Sequence, residues 1–91
     1  MEIMNFISRK YDLGKFNRIC NHHDCPKFPS KEILITEFDR QKEKNRDIAS
    51  LFFCVNHFRE AHRELEKELE EFDRPLIKLE MKIFDIGYVT Y

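Results

Sequence analysis

Glycine is almost missing from this chain: Gly14 and Gly87 are the only two in 91 residues. With so little glycine and no serine- or proline-rich tract, the sequence is not that of a flexible or disordered polypeptide. It also has no glycine-rich loop of the kind that cradles phosphate. Long apolar runs are absent too, since nothing approaches the ~18–20 consecutive apolar residues needed to cross a bilayer. The N-terminal stretch "MEIMNFISRKYDLG" lacks the basic start and apolar core of a secretion signal. These absences lead us to expect a soluble, cytoplasmic protein. Histidine is absent from residues 26–53, so that stretch offers no imidazole for acid–base catalysis. The glutamates of residues 64–71 read as a solvated helix face rather than an acid–base pair. No enzyme is expected.

A surplus of charge of one sign is also missing. The formal net charge is −1, from 16 Lys/Arg and 17 Asp/Glu. The distribution is uneven: residues 1–31 carry six basic against three acidic side chains, residues 32–59 balance at five each, and residues 60–91 carry five against nine. Generic nucleic-acid binding goes with a basic domain, and the whole chain is not one. Arg9, Lys10, Lys15, Arg18, Lys27 and Lys31 could form a local basic face, with Phe16 or Phe28 stacking on bases.

What is present is apolar content in short segments. A chain this small buries only about 60–65% of its unfolded surface, so its core is marginal and gains from a staple. "EILITEF", Glu32–Phe38, and "IASLFF", Ile48–Phe53, read as strands of a hairpin. The charged run Asp39–Asp47 between them reads as a long exposed tip. From Cys54 to Asp73, Phe58, Leu65, Leu69 and Phe72 recur at helical spacing, and Arg74-Pro75 ends the helix. Ile77, Leu79, Met81 and Ile83 then alternate with charged residues as a half-buried strand. The adjacent apolar pair Ile83-Phe84 predicts a bulge or a change of buried face there. Residues 1–19 are ambiguous: "EIMNFI" fits a strand or a helical turn, and "KFNRI" fits a strand leading to Cys20.

A rival pattern runs through the middle. Ile48, Leu51, Val55, Phe58, His62, Leu65, Leu69 and Phe72 form a heptad stripe, which one helix over 47–73 would turn into a coiled-coil seam. The consecutive bulk of Leu51, Phe52 and Phe53 suits a buried strand better, so a break near Cys54 is expected.

All three cysteines and three of the four histidines fall in two clusters, "CNHHDC" at 20–25 and "CVNH" at 54–57. Three cysteines cannot all pair, and without an export signal metal binding is their leading use. Cys20 and Cys25 sit in a loop bounded by Pro26 and Pro29, where two ligands can meet at little entropic cost. Cys54 and His57, at i and i+3 on a first helical turn, share one face. Either His22 or His23 could replace one of these four. The alternative is three buried thiols with all the histidines at the surface.

The arrangement resembles the treble-clef zinc fingers that carry C-x4-C in a knuckle and C-x2-H opening a helix, and "FFCVNHF" looks like the helix entry of that group. The resemblance covers residues 20 to about 72, and departs from the family in a knuckle without glycine and a longer, more charged hairpin. It implies an α+β fold of knuckle, β-hairpin and long helix, here with an added C-terminal strand. The expected organisation is one zinc-stabilised domain over 1–91: an N-terminal segment 1–19, the zinc unit 20–73 and the strand 74–91. One structural Zn2+ would be held by Cys20, Cys25, Cys54 and His57. The role expected is a non-enzymatic protein-interaction or assembly module, with a partner or a second copy engaged through the 54–73 helix. The alternative is DNA or RNA binding through the basic N-terminal third.

Overall fold

A computed structural model describes residues 2–14, 19–72 and 74–86. Lys15, Phe16 and Arg18 of the basic segment, most of "KFNRI", the expected helix end at Asp73, and residues 87–91 of the expected C-terminal strand lie outside the described residues.

The first nine-residue element is a helix, α1 (Glu2–Lys10). Ile3, Ile7 and Tyr11 recur every fourth residue, so they fall on one face, and all three are buried. Arg9 and Lys10 occupy the last turn, where the helix dipole favours positive charge. Tyr11 packs edge-on against Phe53, with ring centroids 5.1 Å apart, and so fixes α1 to the core.

The sheet has three antiparallel strands, β1 (Lys31–Asp39), β2 (Lys44–Phe53) and β3 (Ile77–Asp85), in the order β2-β1-β3. The hairpin is longer and its tip tighter than its charge suggests. Lys44–Asp47 are exposed yet continue β2, pairing with Thr36–Asp39, because an antiparallel ladder can carry charged side chains into water. Only residues 40–43 form the tip. There the Asp39 carboxylate accepts the N–H groups of Gln41 and Lys42 at 3.0 and 3.1 Å, and Glu43 takes a positive φ of 52°. Ile35 faces Ala49 while Thr36 faces Asp47, which leaves Ile48 as the extra residue of a bulge.

Neither the bulge nor the change of buried face expected at Ile83-Phe84 is found: β3 pairs with β1 in unbroken register from Lys31↔Asp85 to Asp39↔Ile77. The two apolar neighbours simply point to opposite faces at the sheet edge, where both stay exposed, at 43% and 46%.

Cys54 is extended (φ −72°, ψ 169°), so strand and helix break there, and α2 runs over Val55–Glu71. It touches all three strands. Ala61, Leu65 and Leu69 are buried against the face made by Ile33, Ile35, Leu51 and Phe53, so the heptad stripe is largely satisfied within the chain. No helix among the described residues is long and apolar enough to cross a membrane.

Candidate metal centre

Residues 19–30, ahead of β1, bring Cys20 and Cys25 to the start of α2. Cys20 N–H donates to the Lys27 carbonyl at 2.9 Å, and Cys25 N–H to the His22 carbonyl at 3.2 Å. The second bond closes a tight turn that needs one residue in the left-handed region. Asp24 supplies it, with φ 61°. Aspartate tolerates that conformation better than most residues, so the turn forms without glycine.

Asn21 ties this loop to the hairpin. Its N–H donates to the Phe52 carbonyl, and its Oδ1 accepts the Phe52 N–H, both at 2.7 Å. Its Nδ2 donates to the Asp12 carbonyl at 2.8 Å, and its own carbonyl accepts the Asp12 N–H at 2.8 Å. Every polar group of this buried residue is therefore used. Sequence reasoning missed it, because an asparagine in a polar loop carries no signal of burial.

The four ligand atoms of Cys20, Cys25, Cys54 and His57 lie within 4.8 Å of one another. All three cysteines are buried and free of disulfides, and His57 is half-buried. Bond lengths of about 2.3 Å to sulfur and 2.0–2.1 Å to nitrogen give a tetrahedron with edges of about 3.8 Å between sulfurs and about 3.6 Å from sulfur to nitrogen. Here Cys25 Sγ and Cys54 Sγ are 3.8 Å apart, and His57 Nδ1 lies 3.7 Å from Cys20 Sγ and 3.3 Å from Cys54 Sγ. The set fits around one small ion, and its soft thiolate and imidazole donors suit a borderline metal rather than calcium or magnesium. These four residues could hold a metal ion.

The electrostatics of the metal-free set point the same way. Burial pushes the Cys20 thiol up to about 11, against the pull of backbone N–H groups and with the neighbouring Cys54 sulfur adding to the rise. Burial also acts to raise Cys54, but the N–H groups of His57 and Asn56 and the thiols of Cys20 and Cys25 outweigh it, and its pKa falls below the ordinary value. One thiolate is thus favoured at the helix start, while a second beside it is resisted. A divalent cation removes that conflict.

His22 does not join the four. Its ring stacks on that of His57, with centroids 3.8 Å apart and planes 6° from parallel, and its Nδ1 contacts the His23 carbonyl at 2.8 Å. His23 is exposed. His62 lies one turn beyond Phe58, its ring centroid 5.7 Å from the phenyl, and its Nε2 is 4.0 Å from Glu66.

Comparisons with protein-family models, with curated proteins and with solved structures find no match to this chain.

Proposed function

We propose that the chain is a non-enzymatic protein-interaction module, of the treble-clef kind, braced by one structural Zn2+ on Cys20, Cys25, Cys54 and His57. The single observation that carries this is the convergence of those four ligand atoms within 4.8 Å of one another. Four protein ligands close a zinc site and leave no position for substrate or water, which supports a structural ion and a non-catalytic role. The order of knuckle, hairpin and helix around the cluster supports the treble-clef assignment. The reduced thiols suit an intracellular setting.

A protein partner is favoured over nucleic acid by how the basic residues are used. Lys10 pairs with Glu64 at 3.3 Å, and Lys31 pairs with Asp85 and lies over the Phe58 ring. Both are thereby drawn from a phosphate-binding surface. Phe28, Leu76, Ile83 and Phe84 are instead left exposed. Native mass spectrometry tests the brace: one zinc per chain is expected, with unfolding on chelation. A chain that stays folded without metal would overturn it. Binding of the loaded protein to oligonucleotides that weakens steeply with salt would replace the protein partner with nucleic acid.

A further inference from the structure

β3 lies at the edge of the sheet, and its outer side is unpaired among the described residues. The direction of its backbone groups follows from the bonds that flank the ladder: Ile86 N–H donates to the Ser30 carbonyl, and Arg40 N–H to the Leu76 carbonyl. Even-numbered residues of β3 therefore face β1. The N–H and C=O groups of Leu79, Met81, Ile83 and Asp85 point outward, and no bond among the described residues uses them. The Ile77 carbonyl takes the Arg74 N–H at 3.2 Å. Such an edge is a template for another strand.

The side chains of β3 say which strand fits. Leu79, Met81 and Ile83 lie on the face that carries α2, and Lys78, Glu80, Lys82 and Phe84 on the other. When β3 is laid antiparallel against a second β3 with Met81 opposite Met81, the outward backbone groups of the two strands meet in hydrogen-bonded pairs. Glu80 then faces Lys82 of the other copy, and Lys82 faces its Glu80. Exposed Phe84 faces Lys78, and exposed Ile83 faces Leu79. Both charge pairs and both Lys–Phe pairs fall at non-hydrogen-bonded positions, where opposing Cα atoms approach to about 4.5 Å and side chains interact most.

The neighbouring registers that keep the backbone in phase are penalised. A slip one way sets Glu80 against Glu80 and Lys78 against Lys82. A slip the other way sets Lys82 against Lys82. Only the central register both pairs β3 along its whole length and sets opposite charges together; one centred on Leu79 also matches Lys78 with Glu80 but overlaps only residues 77–81.

We infer that the partner edge for β3 is the β3 of a second copy of this chain, joined about a two-fold axis perpendicular to the sheet into a continuous six-stranded sheet. Both α2 helices then lie on one face of that sheet. A groove of about 470 Å³, lined by His62, Glu66, Leu69 and Glu70 of α2 and by Lys78–Met81 of β3, runs along the seam. The pairing sets Ile83 of the second copy opposite Leu79 in that groove. This names the partner of the interaction role proposed above and rests on that reading. It moves the contact from the α2 seam, whose Leu65 and Leu69 are already buried, to the sheet edge.

Sedimentation and light scattering of the zinc-loaded chain from micromolar to millimolar concentration test it. The molecular mass is expected to rise to that of a dimer. Glu80→Lys and Lys82→Glu, each at an exposed position, are each expected to return it to a monomer, and the two together to restore the dimer. Zinc content and thermal unfolding of each variant at low concentration report the fold separately, so loss of the brace cannot be mistaken for loss of the contact. A wild-type chain that stays monomeric throughout, single reversals that dimerise like the wild type, or a double variant that stays monomeric would each overturn the inference.

Discussion

Asn21 and Phe52 hold each other by two hydrogen bonds, one from each backbone N–H, both 2.7 Å long. Their neighbours in sequence are Cys20 on one side and, two residues on, Cys54. The side chain of an asparagine thus acts as an extra piece of backbone that aligns the knuckle with the end of β2, and so places two of the four ligand atoms. Asn21→Ala leaves the Phe52 N–H and the Asp12 carbonyl without their partners in a partly buried setting. Two unsatisfied groups at about 1–3 kcal/mol each give an expected loss of about 2–6 kcal/mol, read from denaturant unfolding of the metal-loaded protein. Unchanged stability would show that water replaces the amide there.

Asp24 gives a second, opposite test of the knuckle. At φ 61° a β-branched residue clashes with the chain, whereas glycine does not. Asp24→Val is expected to lower stability by about 1–2 kcal/mol, and Asp24→Gly to hold or raise it. For a domain of this size each kcal/mol moves Tm by about 4–8 °C, so calorimetry resolves the two. A valine variant as stable as the wild type would mean that the turn adopts another form.

The proposed zinc site carries a proton prediction. The buried Cys20 thiol, pushed up to about 11, is protonated at neutral pH in the metal-free chain, and a ligand thiolate must lose that proton on binding. Zinc binding at pH 7 is therefore expected to release protons, and affinity to fall as the solution is made more acid. Calorimetric titration in two buffers of different ionisation enthalpy measures the release, and equal heats in both would contradict it. Cobalt(II) titrated into the chain is expected to saturate at one equivalent with the visible absorption of a tetrahedral thiolate site, and Cys54→Ser to weaken that signal.

How much of this was legible beforehand depends on whether the signal was local. The pairs Cys20/Cys25 and Cys54/His57 were readable because each pair is close in sequence and soft ligands are scarce. The break at Cys54 was readable because Leu51, Phe52 and Phe53 in a row fit a strand buried on one face and half-covered on the other. Position in the sheet was not readable. Residues 44–47 are as polar as a loop yet form a strand, because β1 supplies their partners. Ile83-Phe84 reads as a bulge or a change of buried face, because sequence alone does not reveal that β3 sits at an edge with both faces partly open. Asn21 gave no warning, since its value lies in bonds to Asp12 and Phe52, residues far from it along the chain. In α1, Ile3, Ile7 and Tyr11 carry a helical period, but the segment is too short to outvote a strand.

Tyr11 is expected to make the fold sensitive to alkali. It is buried, and its hydroxyl donates to Glu64 Oε2 at 3.5 Å, while Lys10 holds the same carboxylate oxygen at 3.3 Å. Burial first, then the negative charge of Glu64, raises the phenol well above its ordinary value of 10.0. The folded chain keeps the proton that the unfolded chain gives up above pH 10, so the folded state binds more protons there and stability must fall as pH rises. Below about pH 10 both states are protonated and this contribution is constant. Tyr11→Phe removes the titrating group while keeping the ring against Phe53. Its stability is expected to decline less between pH 9 and 11 than that of the wild type, measured by thermal unfolding with the metal bound. Parallel declines for the two proteins would place the alkaline sensitivity elsewhere.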